Sequence, residues 1–292
     1  RPRHPRRAGE GRLGPELFQL QGRENVVSQS IHPTAVIDRS AHLGADVRIG
    51  PYAIVEAGAV LGDGCELLAH AVICRGTILG ARNQVGYGAV LGGDPQDFGY
   101  KGAPTRVEIG SGNRIREYVT IHRATVENGA TRVGDDNFIM GGVHLGHDVR
   151  VGNGAILANN TLLAGHAQVG DRAFLGGATI LHQHVRIGAL AITRGGTRLG
   201  KDVPPYLMAV ATNQVSGINR LGLRRAGFSH ETRKTIQAAY ELIYRANLNI
   251  TQALTELRAK FHQPEVLAFI EFIASSQRGI CKERRRGEED EE

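Results

Sequence analysis

From Ile31 to Leu199 an aliphatic residue recurs at every sixth position, and that beat excludes most of the ways in which a 292-residue chain can fold. Of the 29 positions in this register, 25 are Ile, Leu or Val; the exceptions are Asp97, Ala103, Glu127 and Thr193. Small residues recur four places after the aliphatic one, as at Ala35, Ala41, Ala53, Ala59, Ala71 and Ala89. Such a unit, with one inward aliphatic side chain and a turn-permissive glycine, is a short strand followed by a bend. Three units close a triangular coil, and successive coils stack as parallel strands ~4.8 Å apart. The register predicts about ten coils.

Composition agrees with this. The chain has 39 glycines, no tryptophan and 5% aromatic residues, which suits many short turns packed on small aliphatics better than an aromatic core. No apolar run approaches the ~18 residues that a membrane span needs. Cys65, Cys74 and Cys281 show no metal or redox spacing and read as buried or free thiols of a reducing compartment, so a cytoplasmic protein is expected.

Two stretches, 92–108 and 124–132, lose the beat while keeping its count. They read as loops ejected from the prism. DVPPY at 202–206 ends the repeat. Beyond it Ser229 can cap a helix carrying Ile236, Ala239, Tyr240, Leu242 and Ile243. A second helix is expected from near Thr251, and Pro264 fits the first turn of a third. The expected organisation is therefore a basic segment 1–29, a prism 30–206, a helical domain 207–280 and a charged tail 281–292. Residues 1–29 begin without Met and read as disordered, processed or targeting sequence; the tail reads as disordered. The repeat resembles the hexapeptide-repeat family, which implies a mainly β fold: a left-handed parallel β-helix followed by a C-terminal α-helical domain. The handedness, an exception to the right-handed crossover rule, is taken from the resemblance.

The net charge is +6, and residues 217–263 alone carry eight Lys or Arg against three Glu. That stretch is either a solvated helical face or a docking surface for an acidic partner or phosphates. Nothing in it resembles a groove-reading helix or an aromatic-interleaved RNA surface, so nucleic acid is not an expected partner.

Within a coil counted from Leu145, His147 falls third, His166 fourth, His182 second, Gln183 third and His184 fourth, with His144 just before. Five histidines and a glutamine then line one edge across adjacent levels. Such a column can bind a metal or supply a general base. Hexapeptide-repeat carbonic anhydrases hold zinc with three histidines that include an H-x4-H pair; here the pair is H-x2-H, at 144 and 147. Asp148 follows His147 directly and can hold its ring, which favours the base and no metal.

The stretches PQDFGYKGAPTRVEIG, NRIREYVTIHRAT, ILANNTLLAGH, ATILHQ, DVPPY and LRRAGF together resemble the UDP-N-acetylglucosamine O-acyltransferases, which open lipid A synthesis. The likeness runs from about Ile31 to Gly279. It implies that His147 is the general base for the glucosamine 3-hydroxyl, supported by Asp148. The acceptor oxygen would attack the thioester of an (R)-3-hydroxyacyl chain on acyl carrier protein, whose phosphopantetheine supplies the donor, with no other cofactor. The Gly165 N–H would meet the oxyanion. Asp97, His144, His166, His182 and Gln183 would contact sugar nucleotide and acyl chain; Asn219 and Arg225 would reach the nucleotide and its phosphates. Gly195 would set acyl length, its missing side chain implying a longer chain. The resemblance also implies a homotrimer with sites between subunits, and an acidic carrier protein for the basic stretch. Where the family reads QDLKY, Gly99 replaces the lysine, with Lys101 two residues later; Ala226 replaces the second arginine of LKRRGF, and Leu221 stands where some members have an acid. Two alternatives remain: a related hexapeptide acyltransferase acting on another nucleotide sugar, at a 3-amine or with an N-acyl product, and a zinc hydratase or non-catalytic prism that has kept the fold.

Overall fold

The computed structural model describes residues 30–284; segment 1–29 and the charged tail beyond 284 lie outside them. Strands of mostly two residues alternate with short turns and stack into three parallel sheets, the faces of a prism. The first face begins at Ser30–Ile31, the second at Val36–Ile37 and the third at His42–Leu43. The second face holds nine strands, so the prism has nine levels rather than about ten.

The difference lies in the ejected loops. Gln84 pairs backward with Glu66, three repeat units away, but forward with Arg114, five units away. Arg114 then pairs with Phe138, four units on, and from Arg132 to Arg150 the step is three units again. The excursions therefore lengthen the period by two units and by one, together one whole coil. Three of the four breaks in the aliphatic register, Asp97, Ala103 and Glu127, fall inside them. The excursions are also shorter than expected. Strand Arg106–Ile109 pairs Val107 with Thr77 and buries it, and strand Ala130–Val133 pairs Ala130 with Arg106. Loop residues proper are thus 94–105 and 123–129.

The inward positions are as the beat predicts: Ile121, Leu145, Leu157, Leu163 and Leu175 are fully buried. A stack of amides closes the corner between the third and first faces. Asn83 Nδ2 donates to Gly80 O at 2.8 Å and Gly110 O at 2.7 Å, Asn113 Nδ2 to Asn83 Oδ1 at 3.0 Å, and Asn137 Nδ2 to Asn113 Oδ1 at 2.9 Å. Buried amides are tolerated because each finds partners one level away.

DVPPY does not end the stacking. Leu207–Ala211 adds one more parallel strand to the first face beside Ile192–Thr193, and Gln214–Ile218 returns antiparallel to it. This hairpin precedes the helices and was not expected. Among the described residues four helices follow: α1 (Arg220–Arg225), α2 (His230–Tyr244), α3 (Ile250–Lys260) and α4 (Pro264–Ala274). Ser229 caps α2 by accepting from Thr232 N at 3.0 Å, Asn249 and Gln252 form a capping box on α3, and Pro264 opens α4. The start of the tail is ordered. Lys282–Glu283 pairs with the hairpin, and Glu283 accepts from Tyr240 Oη and Arg245 Nη2, each at 2.6 Å.

Candidate active site

The corner joining the second face to the third carries, on successive levels, the turns Gly146–Val149, Ala164–Ala167 and His182–Val185. On two earlier levels the third residue of this turn is glycine at positive φ, Gly58 and Gly76. Here it is Asp148, His166 and His184, at φ 61°, 61° and 62°. Non-glycine residues take this conformation in turns on the other edges too, as at Tyr52 and Arg172; what sets this edge apart is that three titratable side chains stand on it on adjacent levels.

His147 is buried, and its Nδ1 lies 2.9 Å from Asp148 Oδ2. The same oxygen accepts from Thr125 Oγ1 at 2.8 Å and Thr125 N at 3.1 Å, while Asp148 N donates to Thr131 Oγ1 at 2.8 Å. Burial pushes the Asp148 carboxyl up, but its bonds from His147 and Thr125 outweigh that and hold it below the usual carboxylate range. An ionised Asp148 accepts from the Nδ1–H of His147 and leaves the Nε2 lone pair free. Nε2 faces Asp97 Oδ2 across 3.8 Å. That is too long for a hydrogen bond, and a substrate hydroxyl fits within reach of both groups.

Gly165 lies one level from His147. A Cβ on it would stand 2.3 Å from His147 Cε1 and 2.4 Å from Nε2, so the ring occupies the space that makes this residue glycine. Its N–H donates to no acceptor among the described residues. At the same turn position elsewhere a side chain one level on serves: Asn153 N donates to Asp171 Oδ1, and Asp135 N to Asn153 Oδ1, both at 2.8 Å. A free, buried N–H beside a histidine Nε2 is the arrangement an acyl-transfer oxyanion needs.

The other predicted residues divide. His166 packs edge-on to His147 with centroids 5.1 Å apart, and His184 stacks on His166 at 4.5 Å. His182 and Gln183 are exposed at the start of the last of these turns. His144 is not on that edge: it shares a strand with Leu145, on the level of His147, and faces outward from the second face. There Thr120 Oγ1 meets its Nδ1 at 2.9 Å and the His122 ring stands 5.1 Å off. Lys101 turns back on its own loop, to Phe98 O at 3.0 Å. Gly195 lies on a different edge, between the first and second faces, beside Gly177. Asn219 caps α1 and donates to Leu190 O at 2.9 Å, at the third-to-first corner, and Arg225 ends the same helix. One chain alone does not join these three groups.

His122 and Thr125 went unnoticed in the sequence because the second loop sets their level four repeat units from the next rather than three. Metal chemistry draws on the same cluster, since His147, Asp148 and His166 offer ligand atoms within 4.8 Å of one another.

Burial, then His122, lowers the pKa of His144 from the ordinary 6.5. Burial also dominates at His166, where His184 and His147 lower it further and Asp148 and Asp97 oppose. Both therefore bind protons less readily folded than unfolded. The stability they leave intact above pH 6.5 is lost as pH falls through 6.5 toward the lowered values. A fall in Tm between pH 7 and 5 is expected, and His166→Gln makes it shallower; an unchanged pH slope would contradict this.

Comparison with known proteins agrees with this geometry. Residues 202–281 match the family model described as UDP-N-acetylglucosamine O-acyltransferase, domain 2, and residues 130–165 match the bacterial transferase hexapeptide repeat. The chain is 52% identical over 267 residues to the acyl-[acyl-carrier-protein]–UDP-N-acetylglucosamine O-acyltransferase of Ralstonia nicotianae, covering 87% of this chain and 98% of that one. It is 48% identical over 259 residues to that of Burkholderia ambifaria, covering 86% and 99%. Among solved structures, the UDP-N-acetylglucosamine acyltransferase of Bacteroides fragilis superposes with TM-score 0.83 at 41% identity, over 86% of this chain and 99% of that one. The Arabidopsis enzyme does so with TM-score 0.76 at 36% identity, over 86% and 100%.

Proposed function

The chain belongs to the acyl-[acyl-carrier-protein]–UDP-N-acetylglucosamine O-acyltransferases, and from that premise we propose that it acylates the glucosamine 3-hydroxyl of UDP-N-acetylglucosamine. The donor is an (R)-3-hydroxyacyl chain on the phosphopantetheine of acyl carrier protein, and the reaction is the first step of lipid A synthesis. The observation that carries the mechanism is the His147–Asp148 pair beside the unpartnered Gly165 N–H.

The 3-hydroxyl gives its proton to His147 Nε2 as its oxygen adds to the thioester carbonyl. Asp148 holds the ring and stabilises the imidazolium that forms. The carbonyl oxygen, now an anion, takes the Gly165 N–H. Collapse of the adduct breaks the C–S bond, and the imidazolium returns its proton to the departing thiolate. Asp97, His144, His166, His182 and Gln183 bind sugar and acyl chain around this centre.

We further propose a homotrimer. The second face exposes an apolar row in which Val36 is 63%, Leu162 40% and Ile180 40% exposed, and the first face carries Phe138, Ile156 and Phe174 outward. The third face instead presents Glu108, Arg132 and Arg150 to water. Packing the first face of one chain on the second face of the next closes a threefold ring. That ring sets the Gly195 edge at the axis and the His147 corner against the neighbour's Asn219 and Arg225, uniting the groups that one chain separates. Sedimentation at any mass other than three chains would refute it.

For the carrier protein, the support is a hollow of about 460 Å³ between α1 and α2, lined by Arg220, Arg224, Arg233 and Lys234. None of these has a carboxylate partner among the described residues, whereas Arg245 is held by Glu283. A cytoplasmic location is supported by three free cysteines, and no described helix is long and apolar enough to cross a membrane.

The test is transfer from 3-hydroxyacyl carrier protein to UDP-N-acetylglucosamine by the purified protein; no ester product would sink the reading. A donor series reads chain length. Gly195 is exposed and its Cβ position is 3.2 Å from Gly177 O, so methionine fits with a small shift. Gly195→Met is expected to move the preferred donor to a shorter chain. An unchanged preference would separate Gly195 from acyl selection.

A further inference from the structure

We propose that Arg123 is a positioning residue for acyl transfer, its guanidinium fastening the loop 94–105 so that Asp97 stands opposite His147. The inference rests on the reaction proposed above.

Arg123 occupies the turn position one level before His147, displaced by the second loop to four repeat units earlier rather than three. Its side chain is 4% exposed, and it is the one buried arginine among the described residues. A buried guanidinium persists only where its donors are satisfied. Here they are satisfied by the loop. Nη2 binds the Asp94 carboxylate and lies 3.4 Å from Tyr100 Oη; Nη1 donates to Gly92 O at 2.8 Å and approaches Arg75 O at 3.4 Å. Tyr100 Oη in turn donates to Ala103 O at 2.8 Å, and Arg123 N donates to Gly93 O at 2.9 Å. One side chain thus holds the departing strand, the start of the loop and its return.

His122 Nδ1 adds a bond to Asp94 O at 2.6 Å, and beyond it the loop is held by its own turns, Tyr100 N donating to Asp97 O at 3.1 Å and Lys101 Nζ to Phe98 O at 3.0 Å. Phe98 is fully exposed at the tip, and Asp97 Oδ1 is taken by Gly99 N at 2.6 Å. That turn aims the other oxygen, Oδ2, at His147 Nε2. The base does not depend on the clamp, because His147 is held by Asp148 and the coil. The acceptor carboxylate does. Lysine can substitute only in part, since a single ammonium cannot span Asp94, Gly92 and Tyr100 as the planar fork does.

The experiment compares Arg123→Gln, Asp97→Asn and the double variant in the transfer assay, with hydrogen exchange of residues 94–105 in the unliganded protein. Arg123→Gln is expected to lower kcat/KM for the sugar nucleotide by roughly 10²-fold, chiefly through KM. The KM for the carrier protein should hold, exchange in 94–105 should accelerate, and Arg123→Lys should recover only part of the loss. The double variant should be no worse than Asp97→Asn alone, because both remove the same contact. Multiplying losses, or unchanged exchange in 94–105, would overturn the proposal. Exchange reads the clamp whether or not the protein uses this acceptor, so failure of the reaction and failure of the clamp are distinct results. If Arg123→Gln does not fold, Asp94→Asn and Tyr100→Phe remove the partners singly and should show smaller shifts of the same kind.

Discussion

Replacing His147 by alanine is expected to slow acyl transfer by about 10²–10⁴-fold with the coils intact. The rate falls because the imidazole that takes the hydroxyl proton is gone. His166 faces Asp148 at 3.8 Å rather than the acceptor side, and Asp97 Oδ2, which reaches the same hydroxyl, belongs to a carboxylate, a weaker base than an imidazole. The coils survive because the ring lies in a turn, outside the aliphatic stack. Asp148 also keeps both Thr125 bonds, so its charge is not stranded. Single-turnover rates with both substrates saturating, read beside Tm, check this. Wild-type rates would remove the base from the mechanism, and a parallel collapse of Tm would make the loss one of folding.

Gly165→Ala is expected to cost at least ~10²-fold, although it deletes no functional group. Gly165 does not have a positive φ, so alanine suits its backbone; only space forbids it. The added methyl would overlap His147 Cε1 and Nε2 at 2.3 and 2.4 Å and stand 3.0 Å from Nδ1. The backbone of the coil cannot yield, because His166 N donates to His147 O at 2.9 Å and locks the two levels. The ring must swing away, breaking its bond to Asp148. Since both substitutions then remove the same base, Gly165→Ala combined with His147→Ala should be no slower than His147→Ala alone. A near-wild-type Gly165→Ala, or losses that multiply, would show that the glycine is not there to make room for the ring.

These two residues also show how much of the site is legible in sequence. His147 and Asp148 are neighbours in a tight turn, and a turn holds adjacent side chains together whatever the rest of the chain does. Their pairing could be read directly. Gly165 follows from the three-unit period, which holds without interruption from Arg132 to Leu199. His122, Arg123 and Thr125 sit where that period fails, and counting by whole coils places none of them beside the catalytic turn. Asp97 could be named from the resemblance, but its approach to Nε2 depends on a loop that has no periodicity to read.

The fold divides in the same way. The aliphatic beat determined the short strands, the inward residues and the prism, because each unit repeats one local choice: which side chain leaves water and where the chain bends. The Ser229 cap and Pro264 likewise marked α2 and α4, and the apolar stripe of Leu254, Leu257 and Phe261 marked α3. Tertiary structure decided how many levels there are, since two excursions totalling one coil look the same as a coil when only sequence is counted. It decided that His144 shares a level with His147 and that Gly195 and Asn219 lie on other edges. Those relations are set by backbone hydrogen bonds between strands three, four or five units apart, and no local pattern in the chain records which step applies.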